Sequence, residues 1–398
     1  MDVVSTIKSF NAGRDPELLA MKIKKMTTSP FFFLRGTCHI FYSQLPKTGP
    51  LKDAPLTWVC GDLHLENFGS YKGDNRLAYF DINDFDEAVL APCTWDIVRL
   101  LVSVMLGFAD LGTTRGEALS HCRTFLASYS AALAMGKARW VDRDASDGLI
   151  KTLLDSLKDR PRTRFLDSRT DVKGKRRVIR TDGRKALPVD AKPRAMVEAF
   201  VEQYASRQAD PGFFRILDVA RRIAGTGSLG VSRYIVLVEG KGSPDCNYLL
   251  DIKQALPSAL APHLSVPQPA WQSESHRVVA VQRRMQAVSM AFLEGVIMDD
   301  RPFILRGLLP SEDRVTLVCD DKKHHGLSEL LHSMGQILAW DELRSSGREG
   351  SAIADELIAF GKRTDWQEPL LDIAVAATQQ VEHDWAEYCK AVNDGAFA

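Results

Sequence analysis

Residues 212–256 constrain the fold most. They carry the run FRILDVARRIAGTGSLGVSRYIVLVEGKGSPDCNYLLDIKQAL. RYIVLVEG and NYLLDIKQA are dense in β-branched and aromatic residues and are joined by the turn-forming KGSPDC, so they read as adjacent antiparallel strands. Upstream, residues 16–45 read as helix, and CTWDIVRLLVSVMLGFADLG and RGEALSHCRTFLASYSAALAMG as two longer helices. APLTWVC and NRLAYFDI are short strands flanking a loop. Downstream, SESHRVVAVQRRMQAVSMAFLEG reads as an amphipathic helix capped by Ser273, RPFILRGLL as a strand, and GLSELLHSMGQILAWDELRSSG to the end as helix. Helices, a compact antiparallel sheet and then helices again define an α+β chain. Its natural divisions are 1–205, a helical part with polar loops; 206–310, the sheet unit; and 311–398, the helical remainder.

Residues 158–194 hold fourteen Lys or Arg against five Asp. They read either as a solvated excursion, with a hairpin turning at Asp182-Gly183, or as a basic flap facing an anionic ligand. Over the whole chain Lys plus Arg equals Asp plus Glu at 51 each, which argues against a nucleic-acid binder. No apolar run approaches the roughly 18 residues that cross a bilayer, and the N-terminus lacks a signal-peptide pattern. Seven scattered cysteines with no C-x-x-C pair point to a reducing cytoplasm rather than to zinc or a disulfide framework.

The chemistry concentrates in VCGDLHLENFG (59–69) and YFDINDFDEA (79–88). Asp62 and Asn67 lie five residues apart in a loop leaving a strand, so both can face one cleft. A carboxylate there can take a proton from a hydroxyl, and an amide oxygen can ligate Mg²⁺. Asp84 adds an anionic ligand, and Mg²⁺ favours one or two carboxylates completed by phosphate oxygens. Base, amide and metal carboxylate are the phosphoryl-transfer set. Asp81 and Asp86 are alternative metal ligands. His64 reads as a loop hydrogen-bonder.

Gly225, Gly227 and Gly230 follow in G-x-G-x-x-G spacing, with Thr226 and Ser228 between them. A strand comes next rather than a helix, which separates this loop from the dinucleotide-binding fingerprint. Lys253 lies on the following strand, either as a phosphate ligand or as a lysine guarding a sheet edge. Its helical partner is open between Glu274 and Gln282.

CGDLHLENFG resembles the H-G-D-x-x-x-x-N loop of the aminoglycoside phosphotransferase and choline kinase branch of the protein-kinase-like superfamily. INDFDEA resembles its I-D-F/W-x-x-A segment, and WDIVRLL the helix start that follows. The resemblance implies a two-lobe fold using ATP and Mg²⁺, with Asp62 as catalytic base, Asn67 and Asp84 as metal ligands and Asp96 as a structural carboxylate. It also implies that residues 225–230 and Lys253 bind the nucleotide, with adenine stacked at RPFILRGLL. The glycine loop follows the catalytic loop here, so the order of parts is circularly permuted. Cys60 stands where the family has His. The whole chain is also similar to an uncharacterised bacterial family of that clan, departing from it at LAWDELRSSG, where relatives show L-A-x-x-H-A-R.

The function these features imply is phosphotransfer to a hydroxyl of a small-molecule acceptor, without nucleic-acid or membrane partners. The alternatives are a nucleotide-binding protein without turnover, and a nucleotidyl transferase on the same fold.

Overall fold

The strand-rich stretch forms the centre of a six-stranded antiparallel sheet in the computed structural model, which describes residues 2–309, 313–315 and 324–397. Helices α1 (Val3–Phe10), α2 (Pro16–Met26), α3 (Pro30–Gly36), α4 (Cys38–Gln44) and α5 (Pro50–Asp53) open the chain. Thus 16–45 is three helices, broken where Ser29-Pro30 and Thr37 interrupt the pattern. Strands β1 (Leu56–Val59), β2 (Phe68–Lys72), β3 (Ala78–Ile82) and β4 (Val89–Pro92) carry the two acidic segments between them. α6 (Thr94–Ala109) and α7 (Arg115–Met135) follow. α6 is apolar on nearly every face and runs through the core. α7 starts on a capping box between Thr114 and Glu117 and ends at Gly136 with φ +64°.

The basic stretch is ordered. It forms the end of α8 (Gly148–Lys158), which follows the short strand β5 (Val141–Asp142), then α9 (Arg162–Asp167) and strands β6 (Thr170–Lys173), β7 (Arg176–Ile179) and β8 (Ala186–Leu187). The β6–β7 hairpin turns at Gly174-Lys175, not at Asp182-Gly183. The Asp182 carboxylate instead accepts from the Arg184 amide at 3.0 Å, a local turn that leads into β8. Its arginines are largely consumed by acids: Arg177 pairs with Asp167 and Asp245, and Arg180 with Asp171. The excursion is thus a folded but largely exposed element, and Lys158, Arg160, Arg162 and Phe165 line a cavity of about 710 Å³ beneath it.

α10 (Ala191–Ala205), β9 (Ile216–Arg222), β10 (Arg233–Val238), β11 (Tyr248–Gln254), α11 (Glu274–Met285), β12 (Glu294–Met298) and β13 (Arg301–Gly307) complete the sheet layer, whose order is β12-β13-β11-β10-β9-β8. The helix expected through residue 295 stops at Met285, and 294–298 is an edge strand. Its alternation, with Val296 and Met298 inward and Ile297 outward, is hidden in a run that looks uniformly apolar. Lys253 lies on β11, which is flanked on both sides, so the edge-guard role does not apply. α10 packs Val197 and Val201 onto Val236, Leu250, Ile252 and Phe303 on one sheet face, so the 205/206 division cuts a packed unit. The chain closes with α12 (His324–Ser345), α13 (Ala354–Gly361) and α14 (Gln367–Asn393). The largest core joins the opening helices, α6, α7, α12 and α14, and it supports the acidic segments from beneath.

Candidate active site

A cavity of about 650 Å³ collects Asp62, Asn67, Asp84, Asp86, residues 225–228 and Lys253 into one lining. Its floor begins at β1, which delivers Gly61 in the left-handed region (φ +86°), where a Cβ would collide with the Glu87 carbonyl. Only glycine lets the two acidic segments approach this closely.

The Asp96 carboxylate, fully buried at the start of α6, accepts from the Cys60 amide at 2.7 Å and from the Gly61 amide at 2.9 Å. The Tyr42 hydroxyl donates to the Gly61 carbonyl at 2.7 Å. These bonds fix the loop without a histidine at position 60. Burial pushes the Asp96 carboxyl up to about 6, against the two amide bonds.

Asp62 pairs with buried Arg99, one helical turn beyond Asp96, whose Nε donates to its Oδ1 at 2.7 Å. Burial raises the Asp62 carboxyl above the ordinary carboxylate range, and Arg99 opposes that rise. An Asp with raised proton affinity that opens on a cavity is suited to accepting a hydroxyl proton. Asn67 donates its Nδ2 to the Asp62 carbonyl at 3.0 Å, which leaves Oδ1 as its acceptor toward the cavity. Asp84 is exposed at the lining. Asp81 points elsewhere: it is buried against Asp341 and Arg344, and accepts from the Ile82 amide. That removes it as a metal candidate.

Lys253 is 3% exposed and ion-paired with Asp86. Burial pulls its ammonium down to about 8, and Asp84 acts in the opposite direction. Neither expected helical partner reaches it. Glu274 pairs with Arg277 at 2.7 Å, because the first turn of α11 faces the loop around Ala88. Gln282 is turned into the core and donates to Gln286 at 3.1 Å. Neither lines the cavity, which corrects both as nucleotide contacts.

The glycine loop bends at Gly225 (φ +80°) and Gly230 (φ +88°). Gly225, Thr226, Gly227 and Ser228 line the cavity, whereas Gly230 sits against Arg14 behind the loop. Three cations, Arg14 from the turn between α1 and α2 and Lys22 and Lys25 from α2, grip the loop's carbonyls. Arg14 Nη1 donates to Gly227 O at 2.6 Å and Leu229 O at 3.0 Å, Lys22 Nζ to Gly227 O at 3.1 Å, and Lys25 Nζ to Gly225 O at 3.2 Å. These contacts were not legible from the motifs, nor was Arg99, although its spacing from Asp96 puts both on one helix face. Glu87, pushed up to about 6 by burial, and His39 also line the cavity unannounced.

Among the described residues, no group of three or more His, Cys, Asp or Glu side chains could hold a metal unaided. Asn67 and Asp84 offer the hard oxygen donors that suit Mg²⁺ when phosphate oxygens complete the shell. No described helix is long and apolar enough to cross a membrane.

Residues 14–391 match the family described as "Uncharacterized protein conserved in bacteria (DUF2252)", and the chain belongs to that family. No curated protein and no solved structure matches it.

Proposed function

We propose that the protein is an ATP- and Mg²⁺-dependent transferase of the protein-kinase-like class, circularly permuted, that passes a phosphorus group to a hydroxyl of a small molecule. The observation that carries this reading is the shared cavity: Asp62, Asn67 and Asp84 face Gly225–Ser228 and Lys253 across it, although the two sets are at least 141 positions apart in the chain. The sheet supports it as well. The glycine loop joins two neighbouring strands, the lysine lies on the third, and a helix leads from that strand to the sheet edge.

In this reading Asp62 takes the hydroxyl proton, held in place by Arg99. Asn67 and Asp84 hold Mg²⁺, which supplies charge neutralisation. Lys253 exchanges Asp86 for phosphate oxygens, and the loop amides of 225–228 complete the cradle. Positioning and electrostatics do most of the work in such sites. Cys60 in place of the family's histidine favours a nucleotide binder without turnover, but Asp96 and Tyr42 supply loop-holding of the kind a histidine would provide.

The test is ATP consumption by the purified protein across a panel of hydroxyl-bearing metabolites, with Asp62→Ala as control. Turnover that depends on both acceptor and Asp62 supports the assignment. Full turnover by Asp62→Ala removes Asp62 from the base role.

A further inference from the structure

The cavity of about 710 Å³ beneath the basic excursion shares no lining residue with the main one. No residue of 301–309 lines the main cavity, which corrects the expectation that adenine held there stacks on RPFILRGLL. Gly307, Leu308 and Leu309 line the second cavity instead. Lys72 from β2, Arg76 from the β2–β3 turn, Arg143, Lys158, Arg160 and Arg162 bring six cations to this lining. Three carboxylates, Asp142, Asp144 and Asp313, stand against them. Two of these are spent locally: Arg160 holds Asp313 through two bonds of 2.6 Å, and Arg143 holds Asp144 at 2.8 Å. Asp142 accepts from the Asp144 and Ala145 amides at 3.0 and 2.9 Å. Lys72, Arg76, Lys158 and Arg162 have no carboxylate partner among the described residues.

Three of these cations crowd together. Partial burial holds the Lys72 ammonium below the ordinary lysine range, and Arg162, Arg76 and Lys241 push it the same way, with no acid opposing them. Like charges gathered in a cleft attract an anion and are relieved by it. Arg162 is set in advance: its guanidinium lies 3.7 Å from the centre of the Tyr248 ring. Arg76 occupies a left-handed turn position (φ +71°), where glycine would be favoured. Phe292, on the apolar side of the same lining, is also left-handed (φ +63°). Strain of this kind in non-glycine residues gathers at ligand sites. Leu157, Phe165 and Leu309 extend the apolar side. Cavities of this size accept molecules as large as a drug, and cations beside an apolar wall select an organic anion.

We propose that this second cavity binds a phosphorylated small molecule with an apolar body. Lys72, Arg76 and Arg162 hold its phosphate, and Leu157, Phe165, Phe292 and Leu309 cover its body. A phosphate monoester suits the lining better than a carboxylate does. It carries close to two charges and three strong acceptor oxygens, enough for several cations, and guanidiniums meet it through paired bonds. The site stands without the transferase reading, because none of its residues belongs to the main cavity.

Calorimetric titration of the full chain with 1-naphthyl phosphate, inorganic phosphate and 1-naphthol tests this. Naphthyl phosphate should bind with a Kd below about 1 mM, and each fragment at least about tenfold more weakly. Lys72→Ala should weaken naphthyl phosphate at least about fivefold, whereas Lys253→Met, in the main cavity, should change it less than about twofold. Arg76→Gly separates ligand contact from packing. Glycine relieves the left-handed turn, so stability in urea should hold or rise while affinity falls at least about threefold. Absence of saturable binding by the native protein overturns the site. Binding that Lys253→Met weakens as much as Lys72→Ala does also overturns it, because the probe then sits in the main cavity. An Arg76→Gly protein with undiminished affinity overturns the phosphate contact.

Discussion

Lys253 and Asp86 form an ion pair that ties the middle of the six-stranded sheet to the acidic segment across the cleft. The lysine is buried, while the Asp86 side chain is 28% exposed. Asp86→Asn therefore leaves a buried ammonium without its nearest carboxylate. Breaking a fully buried pair costs about 3–5 kcal/mol. The partial exposure of Asp86 and the nearby Asp84 reduce that to about 2 kcal/mol. The variant should melt a few degrees lower, and Mg·ATP should restore most of the loss by offering phosphate oxygens to Lys253. A deficit that saturating nucleotide leaves untouched would count against Lys253 as a phosphate ligand.

Cys60 is fully buried, and its backbone amide is already held by Asp96. A histidine is much larger than the fully buried cysteine it would replace. Cys60→His should destabilise by about 1–3 kcal/mol through overpacking and bring no gain in turnover. Asp96→Asn should cost about 1–3 kcal/mol, because the amide group it introduces cannot accept from both backbone N–H groups. Urea unfolding together with ATP turnover separates the two effects. A Cys60→His protein that gains activity would show that the cysteine limits the site.

Much of the site was legible because its chemistry sits in short, dense motifs. Asp62, Asp84 and Lys253 lie on or just after a strand whose pattern is readable, Asn67 immediately precedes one, and all four line one cavity. What was hidden depends on contacts between distant segments. Lys253 finds Asp86 rather than a residue of α11 because the rotation of that helix is set by packing, which turns Gln282 into the core. The arginines of 158–194 look like a basic patch in one dimension. In three they meet acids such as Asp245 and Asp218, more than 20 residues away. The fold shows the same division. β9 to β11 follow from β-branched runs, whereas the edge strand β12 hides in an apolar stretch that also suits a helix.

Lys22 is 1% exposed, and its Nζ donates to Asn11 Oδ1 at 2.8 Å and to the Gly227 carbonyl. Burial, with Arg14 next to it, lowers its proton affinity well below that of an ordinary lysine. In Lys22→Met the desolvation cost of a buried ammonium disappears while the buried Asn11 Oδ1 loses its donor, and the two effects oppose each other. Lys22→Met should therefore change the unfolding free energy by less than about 1.5 kcal/mol. The same change removes one of the two cations that hold the Gly227 carbonyl, so Mg·ATP affinity should fall about three- to tenfold. Equal losses in stability and affinity would reduce Lys22 to a packing residue.

Proton linkage at Lys253 gives two slopes of opposite sign. Burial brings its ammonium down to about 8 from the ordinary lysine value of 10.5. Phosphate binding needs the charged form, so Mg·ATP affinity should fall as pH rises through about 8. Between about 8 and 10.5 the folded protein has lost this proton and the unfolded chain still holds it. The unfolded state binds more protons there, so the contribution of Lys253 to stability rises with pH across that window. Lys253→Met should erase both effects. Lys253→Arg keeps its charge throughout and should remove the alkaline loss of affinity, although its planar fork fits a single-point site less well. Calorimetric titrations at pH 7 and pH 9.5 on the three proteins, with denaturant unfolding at the same two values, measure both slopes. An affinity for Mg·ATP equal at the two pH values in the native protein would exclude Lys253 from the phosphate contact.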